Sequence, residues 1–460
     1  MITALVRKGR QVADDPVLRR WMLRRLLGRE KPPTPFTAGF PPYLGSAAVA
    51  PAAEPHWSGE AGRHAFSPPA APVRLVLAGE TVEVTPDDPA APFARSYTDL
   101  ETLLSAHRFA WVPLAGDAVD PDWVAALWEA WAKRHGGEAT GWPWHAYTAA
   151  ERAINIIDFA RRYGLPGERD ATLALLAKHA EVIAGGLEYF GDHYTSNHLS
   201  NNGRGLLRIG CALGLPDYAA LGSRIMVAEA ARIFGRSGVL REGSTHYHVL
   251  LTRNYIDAWL EAKQAGLPEA ATLRSIAERA LGVLPVLRLP GGLPLIGDIS
   301  PDCPPGWLDG LPADGGGWAD ILSPEKRENL TALLSSAGST SPDRAADDGW
   351  HRFGGHGWTA LAFVPRGGWA PMPGHGHQDA VGFELHYGET PVLTDPGRGS
   401  YRDTPEHRRY VSAAVHSGLT VDGSDPAPPN RPYYGDAFRA AVAGAAPDMK
   451  RTRSGQRLTH

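Results

Sequence analysis

Two histidines separated by one residue, His375 and His377, open the segment HGHQDAVGFELHYGETPVLTDPG. A predicted hairpin then leads to Asp395, and His416 is predicted to begin a further strand. Two imidazoles and a carboxylate at strand ends, with water or a fourth ligand, form a donor set that suits Zn²⁺. The alternative is a set of histidines bonded only to backbone or carboxylate groups. The irregular spacing leaves both interpretations open.

A second polar cluster stands at the predicted start of a helix, in the stretch NHLSNN at 197–202. Asparagine is a good helix N-cap, but four amide or imidazole side chains in six residues exceed what capping needs. Asn197 and His198 are therefore candidate functional residues. The glycines that follow, which permit close approach of another backbone, are Gly203, Gly205 and Gly210.

A third candidate is the stretch EGSTHYH, in which Glu242 belongs to a turn and Tyr247 opens the next helix. Tyrosine at a helix start is commonly a packed ring with a solvated hydroxyl, so this alternative stands beside a catalytic role.

Two further pairs are candidates for ligand contacts. Arg152 and Asn155 share a helix face that is unusual for plain solvent, and they could bind acidic groups or form an interhelical ion pair. Trp142 and Trp144 precede that helix and offer ring faces against which sugars could stack.

The elements that position these residues change type along the chain. Helical periodicity begins near residue 95, with Asp120 as a predicted N-cap and Thr148 with Glu151 as a predicted capping box. Short turns such as GLPGERD, GLPDY and GLPEA join successive helices, which predicts helical hairpins arranged in a ring or a solenoid. No fixed repeat motif is present, which argues against the common repeat families.

After a polar stretch the period becomes that of strands, as in GWTALAFVP, AVGFELHYG, TPVLTDPG and SGLTVDG. A helical domain followed by an all-β domain is the resulting prediction. The predicted regions are an N-terminal arm with a short basic helix and a hairpin (1–94), a helical domain (95–337), a linker (338–349) and a β domain (350–460). The last is short, so we expect either a small sandwich or a truncated one.

Composition sets wider bounds. A chain of 460 residues with 43% hydrophobic content is too long for one ordinary core. A net charge of -4 gives no attraction to nucleic acid, and two cysteines cannot form a disulfide framework. The basic N-terminal helix either lies on a membrane surface or is a solvated helix packed through its leucines and Trp21, and we favour the second. Neither a signal-peptide pattern nor a transmembrane stretch is present, so we expect a cytoplasmic protein.

Several of these stretches occur in the order seen in a known family. WHAYTAAERAINII, SNHLSNNGRGLL, EGSTHYH, GDISPD, GHGHQDAVGFELHYGETPVLTDPG and AAVHSGLTVDG together resemble the heparinase II/III-like family of polysaccharide lyases, which includes related alginate lyases. The resemblance extends from about residue 100 to 425, and its most specific part is the GHGHQD segment with its VLTDPG strand.

The resemblance implies an (α/α) toroid followed by an antiparallel β-sandwich, and a carbon–oxygen lyase that cleaves an acidic glycan at a uronic acid. The residues matched to its uronate-binding and catalytic positions are Asn197, His198, Tyr247 and His375. Those matched to its zinc ligands are His377, Asp395 and His416. Beside them we predict Arg152, Asn155, Trp144 and Glu242 as substrate-binding residues. Family members are often exported.

Elimination across C4–C5 of a uronate needs a neutralised carboxylate, a base and an acid. Asn197 and His198 can donate to the carboxylate, and either His375 or His198 can act as base. Tyr247 suits the acid, and one tyrosine can perform both proton transfers when proton and leaving group share a face. Zinc is expected to be structural, with Gly376 bending the chain so that His375 and His377 point different ways.

Two other classes of function remain open. A toroid glycoside hydrolase would use two carboxylates, for which Glu151, Glu242 and Asp298 are available. A non-catalytic glycan-binding protein of exopolysaccharide metabolism is the other alternative. The sequence does not distinguish between heparan-type, alginate-type and bacterial exopolysaccharide uronates as the substrate.

Overall fold

A computed structural model describes most of the chain. The described residues are 9, 12–13, 16–29, 38–45, 54–191, 197–308, 311, 317–364, 375–379, 381–399, 401, 404–420, 422–423, 425–426, 448–452 and 455–459. The α-helices, in chain order, are α1 (Pro16–Leu26), α2 (Ala91–Ala94), α3 (Leu100–Arg108), α4 (Trp111–Ala115), α5 (Pro121–His135), α6 (Ala146–Tyr163), α7 (Arg169–Gly185), α8 (Asn197–Ala212), α9 (Pro216–Ile233), α10 (Thr245–Gln264), α11 (Ala270–Leu281), α12 (Leu284–Leu287), α13 (Pro305–Leu308), α14 (Pro324–Ser336), α15 (Pro342–Asp347) and α16 (Pro405–Arg408). The short 3-10 helices are Pro42–Leu44, Gly116–Ala118, Trp142–Trp144, Gly317–Ile321, Arg409–Val411 and Ala413–Val415. The strands are β1 (Val73–Leu77), β2 (Glu80–Val84), β3 (Trp350–Gly355), β4 (Trp358–Phe363), β5 (Gly382–Tyr387), β6 (Thr390–Leu393), β7 (Asp448–Thr452) and β8 (Gly455–Thr459).

Consecutive helices pair as hairpins, α6 with α7, α8 with α9 and α10 with α11, and α6, α8 and α10 pack side by side as an inner layer. Nearly every side chain of α8 and α10 is buried, as expected for helices covered on all sides. Glycine permits the tightest of these contacts. A methyl group at Gly210 would collide with the backbone of Ala219, and one at Gly222 with the backbone of Leu207. The predicted close approach at the α8 glycines is confirmed.

Two predicted helix starts had different outcomes. Asp120 caps α5 as predicted, and its carboxylate accepts hydrogen bonds from the backbone N–H groups of Asp122 and Trp123. The capping box at Thr148 and Glu151 was wrong, because α6 begins at Ala146, directly after the Trp142–Trp144 turn. Thr148 is consequently buried in the first turn of the helix.

The inner helices enclose a network of buried ion pairs, which we call the closed ion network. Asp257 lies at its centre, with the Arg204 Nε atom 2.7 Å from Asp257 Oδ2 and Arg208 bonded to Asp257 Oδ1. Burial alone would raise the pKa of Asp257, but Arg208 and Arg204 hold it well below its usual range. The network consists of four carboxylates and four cations, namely Glu151, Asp158, Asp257 and Glu261 with Arg161, Arg204, Arg208 and Lys326.

The β domain contains an antiparallel sheet in the order β3-β4-β5-β6, and β7 pairs with β8 in a separate hairpin. The predicted turn at Gly388 joins β5 to β6, and Asp395 follows β6 as expected. The strand predicted to begin at His416 was wrong. Ser412 caps a 3-10 turn at Ala413–Val415, after which the chain bends, and the Ser417 carbonyl accepts one hydrogen bond from the Phe383 N–H.

The helical and β domains share a hydrophobic core. Trp350 and Leu361 of the sheet pack with Val283 and Leu287 of the helical domain, all fully buried. Pro342–Asp347, within the segment predicted as a polar linker, forms α15, because Ser341 caps it and Ala345 anchors it in this core. The two domains are therefore held in contact where the chain crosses between them.

The N-terminal region forms the predicted elements. β1 and β2 pair as a hairpin, and α1 buries Leu18 and Trp21 while its arginines face solvent. The two cysteines, Cys211 and Cys303, are free thiols as predicted. Among the described helices, none has the length and apolar character needed to cross a bilayer.

Candidate functional site

A buried carboxylate, Glu242, connects the two domains at the edge of the toroid. Its Oε1 atom accepts a hydrogen bond from the backbone N–H of Asn197, 2.9 Å away, and its Oε2 atom bonds His375 Nδ1. Glu242 lies in the turn before α10, whereas His375 comes from the β domain. The carboxylate therefore holds the start of α8 and the histidine in one constellation, and it fixes which imidazole nitrogen stays available for other chemistry.

The His375 ring lies flat on the ring of Tyr247. Their centroids are 3.4 Å apart and the planes differ by 16°. Ser244 caps α10 by accepting from the Tyr247 N–H, and this fixes the tyrosine at the helix start. The Tyr247 hydroxyl is 3.2 Å from the Tyr401 hydroxyl. Burial raises the pKa of Tyr247 well above its ordinary value, so its hydroxyl is protonated near neutral pH.

Asn197 and His198 occupy the first turn of α8 beside this pair. The Asn197 Oδ1 atom is buried, and the amide makes no hydrogen bond to a described residue. His198 Nδ1 lies 2.7 Å from Glu188 Oε1. Burial alone would lower the pKa of His198, but the Glu188 carboxylate raises it above its ordinary value. The first turn of α8 thus presents an uncommitted amide and an imidazole that favours its cationic form.

Apart from the group formed by His375, Tyr247 and His198, a second group of histidines is present in the β domain. His377, Asp395 and His416 each offer one potential ligand atom, and these atoms lie within 4.8 Å of one another. The His377 and His416 rings are stacked with centroids 4.2 Å apart. The three residues predicted as metal ligands are therefore brought together as a group that could hold a metal ion.

The hydrogen bonds around this group fit a cation. His416 Nε2 lies 2.7 Å from the Tyr410 carbonyl, to which it can only donate, so in the neutral ring Nδ1 carries the lone pair. That lone pair faces both Asp395 oxygens at 3.0 and 3.1 Å, a contact that requires a proton or a metal ion between them. His377 Nε2 is 3.1 Å from Asp298 Oδ1, as when a carboxylate orients a ligating histidine.

Asp298 links the two clusters. Its backbone N–H donates to the His375 carbonyl at 2.9 Å, and its Oδ2 accepts from Arg398 at 3.0 Å. Burial would raise the pKa of Asp298, but the hydrogen bond from His377 and the charge of Arg398 lower it. Arg398 in turn lies 3.9 Å from the ring centroid of Tyr401. His375 and His377 therefore bond different carboxylates, Glu242 and Asp298.

Arg152, predicted to bind substrate, lies elsewhere. It is fully buried, its Nε donates to His179 Nε2 at 2.8 Å, and an Nη atom donates to the carbonyls of His107 and Pro143. Its guanidinium also lies 3.8 Å from the Trp131 ring centroid. The structure assigns it to the helical core, because its side chain has no exposed surface that a ligand could reach, although its second Nη atom has no hydrogen-bond partner. The alternative ion pair is also not formed.

The remaining predicted contacts divide in the same way. Asn155 is buried and donates to the Arg108 carbonyl at 2.9 Å. Trp144 is buried and donates to the His135 carbonyl at 2.7 Å, whereas Trp142 is half exposed. Glu242 is hydrogen-bonded to His375 Nδ1 and holds that ring in place. Asn155, Trp144 and Glu242 therefore act on the scaffold, and Trp142 keeps an open ring face.

Sequence reasoning missed Glu188, Tyr401 and Arg398. Glu188 lies just beyond α7, and the other two lie in a loop after β6, where no motif or period marks them. GDISPD was recognised as a family-like stretch, but Asp298 was considered only as a hydrolase carboxylate. Its position between two histidine clusters depends on contacts between distant parts of the chain.

The carboxylates considered for a hydrolase are all occupied. Glu242 and Asp298 are fully buried and hydrogen-bonded to histidines. Glu151 pairs with Arg204 at 3.2 Å. A glycosidase needs two carboxyl groups that can reach the scissile bond, and these three do not provide such a pair.

Comparison with known proteins agrees with this architecture. Residues 337–459 match the family model described as heparinase II/III-like, C-terminal. Among solved structures the chain resembles heparinase III, with a TM-score of 0.54 and 13% identity over 77% of this chain and 58% of that one. It also resembles the heparan sulfate lyase HepC from Pedobacter heparinus, with a TM-score of 0.42 and 17% identity over 72% of this chain and 55% of that one. No curated protein sequence matches the chain significantly.

The predicted fold class, an (α/α) toroid followed by an antiparallel β-sandwich domain, is confirmed by the match to heparinase III. The predicted resemblance to the heparinase II/III-like family is also confirmed, since residues 337–459 match the model of that family's C-terminal domain. The chain spans only about 58% of the heparinase III structure that it matches.

Proposed function

We propose that this protein is a polysaccharide lyase that cleaves a uronate-containing acidic glycan by β-elimination. The observation that carries the proposal is the Glu242 bridge, in which one buried carboxylate bonds both the start of α8 and His375, whose ring lies on Tyr247. The bridge supports a site with a carboxylate binder, a base and an acid.

The uronate carboxylate would lie against the first turn of α8. The uncommitted Asn197 amide and the cationic form of His198 can both donate to it. Neutralising the carboxylate makes the C5 proton more acidic, because it stabilises the enolate-like charge that forms when the proton leaves.

His375 and Tyr247 would divide the proton transfers. Since Nδ1 of His375 is bonded to Glu242, its Nε2 is available to remove the C5 proton. The electron pair of the C5–H bond then forms the C4=C5 double bond, and the C4–O4 bond breaks. The protonated Tyr247 hydroxyl donates to the departing O4, a role that its raised pKa favours over that of base. Proton transfer from His375 through water restores both groups.

His377, Asp395 and His416 would hold zinc, since two imidazoles and a carboxylate suit that ion. Bound there, the ion would pin the loops that carry these residues and so keep His375 facing Tyr247. No proton transfer in the proposed reaction requires it.

The test is a screen for unsaturated uronate ends, which absorb in the ultraviolet, on a panel of sulfated and unsulfated glycosaminoglycans, alginates and bacterial exopolysaccharides. We expect Tyr247→Phe to lower the rate by about 10²- to 10⁴-fold on any substrate found, because the acid is lost. Tyr255→Phe is the matched control. It removes a hydroxyl from the same helix, where Tyr255 donates to the Met226 carbonyl at 2.9 Å, and activity should persist.

Reducing ends without unsaturation would indicate a hydrolase. Glycan binding without any cleavage across the panel would indicate a non-catalytic binding protein. Either result, or full activity of Tyr247→Phe, would overturn the proposal.

A further inference from the structure

Arg253 is a buried cation without a carboxylate partner. It lies on α10 and is only 7% exposed, and its Nε atom is enclosed without an acceptor. Its Nη atoms also bond no described residue, but they retain contact with solvent. Burial lowers the pKa of Arg253, and the charge of Arg204 lowers it further. Burying a charged guanidinium costs free energy unless an anion forms an ion pair with it.

The neighbouring carboxylates are already neutralised. Glu151 and Asp257 both pair with Arg204, inside the closed ion network, where four carboxylates balance four cations. Neither lies within ion-pair distance of Arg253. The guanidinium thus forms no ion pair with a described carboxylate, and Glu151 and Asp257 act on its charge only from a distance.

Two amides on these inner helices, one on α10 and one on α8, are also incompletely bonded. Asn254 Oδ1 is buried without a donor, and both amide atoms of Asn201 are buried without partners. Asn201 lies one turn along α8 from Asn197, and α8 packs against α10. Buried polar atoms are nearly always bonded in native proteins, so an unbonded one calls for a ligand, an ordered water or another physical reason.

Arg253 lies on the same helix as Tyr247. The two are six residues apart on α10, which is a rise of about 9 Å along the axis. Tyr147 lies within electrostatic range of both residues. Burial raises its pKa, Arg253 opposes that rise, and Tyr147 in turn adds to the raised pKa of Tyr247. The half-buried Trp307 ring lies over the guanidinium, with its centroid 5.3 Å from Cζ.

We propose that Arg253, beneath Trp307, is an anion subsite for a carboxylate or sulfate group on a sugar next to the reacting uronate. The proposed lyase function is needed to identify the ligand as a glycan, but not to argue that an anion subsite is present. A guanidinium can bind either oxyanion through two parallel N–H donors. The cost of burying the charge is then offset when the glycan binds, so the subsite contributes to substrate affinity.

The first measurement is melting temperature with and without inorganic sulfate, with sodium chloride at the same ionic strength as reference. Arg253→Met removes the charge and keeps a flexible apolar chain. We expect this variant to melt at the same temperature as the wild type or higher without sulfate, since an unpaired buried charge is removed. We expect its sulfate-specific stabilisation to be lost. Arg274→Met, at an exposed residue paired with Glu278, is the control and should respond to sulfate like the wild type.

The second measurement is steady-state kinetics on whichever glycan is cleaved. We expect Arg253→Met to raise KM by about 10- to 100-fold, the loss of one charged hydrogen-bonding partner, with a smaller change in kcat. Arg253→Lys should fall between, because lysine keeps the charge but not the paired donors. A penalty confined to sulfated glycan assigns the bound group as sulfate. An equal penalty on the desulfated glycan assigns it as carboxylate.

A sulfate response that is the same in wild type and Arg253→Met overturns the subsite, and so does a variant that only melts lower with KM unchanged. If no glycan in the panel is cleaved, the proposed function fails while the sulfate measurement still decides the subsite. If a glycan is cleaved with equal KM by both proteins, only the subsite fails.

Discussion

The closed ion network and the cleft contain similar buried groups, but they use them differently. In the network every carboxylate faces a cation, as where Asp257 bonds both Arg204 and Arg208. In the cleft the partners are incomplete, since the Asn197 amide is unbonded and the Arg253 guanidinium has no carboxylate. Groups with all their partners stabilise the fold, whereas groups that lack a partner can gain one when a ligand binds.

The difference follows from position on the helices. Asp257 and Arg208 lie farther along α10 and α8, where they form ion pairs with side chains of the other inner helices. Asn197 and Tyr247 lie in the first turns of the same helices, beside the β domain. Helix starts leave backbone N–H groups unpaired and open toward neighbouring elements, so the same two helices supply structure at one end and chemistry at the other.

The largest effect is expected from separating His375 and His377. In the proposed reaction, His375→Ala should lower the rate by about 10²- to 10⁴-fold and leave the metal content unchanged, because His375 bonds Glu242 and not the group of His377, Asp395 and His416. His377→Ala should lose the metal and melt at a lower temperature. Metal content, melting temperature and rate, measured on both variants, check this.

The same loss of metal and stability in both variants would contradict the separation. Full activity and unchanged melting of metal-free wild type would contradict a structural role for zinc.

A smaller effect, on stability alone, is expected in the closed ion network. Asp257→Asn should lower the free energy of unfolding by about 3–5 kcal/mol, since it leaves two buried guanidinium groups without their shared carboxylate. The Asp257 pKa is depressed in the folded protein, so its contribution is present above the unfolded pKa and is lost as pH falls. The variant should therefore lose less stability than wild type on acidification.

Denaturant unfolding at several acidic pH values measures both effects. The exposed Asp217, in the first turn of α9, provides the control substitution Asp217→Asn. Equal losses in the two variants would show that burial of the network contributes nothing.

The smallest effect concerns the pH profile of the cleft. Glu188 raises the pKa of His198, and the protonated form binds the uronate carboxylate in the proposed reaction. Activity should therefore fall as pH rises through the pKa of His198. Glu188→Gln removes the charge, lowers that pKa and should move the alkaline limb of kcat/KM to lower pH.

Glu83→Gln, at an exposed position on β2, should leave the profile unchanged. An alkaline limb at the same pH in Glu188→Gln would assign that limb to another group.

Much of this molecule was predictable from local patterns. The helix at Asp120, the hairpin of β1 and β2 and the turn at Gly388 follow from capping, alternation and turn chemistry within a few residues. The Thr148 capping box failed because a preceding turn started the helix earlier. The strand at His416 failed because Ser412 capped a 3-10 turn instead. Both errors concern local signals overridden by adjacent backbone geometry.

The sequence alone determined which residue types could do chemistry and the order in which helical and β domains follow. It did so because periodicity, caps and motif stretches are local properties. Only the tertiary structure decided which of those residues meet. Arg152 became a core residue, because the partners that bury it come from neighbouring helices and turns. Glu242 became the support of His375, and Asp298 joined two histidine clusters, because these pairings join segments more than 70 residues apart.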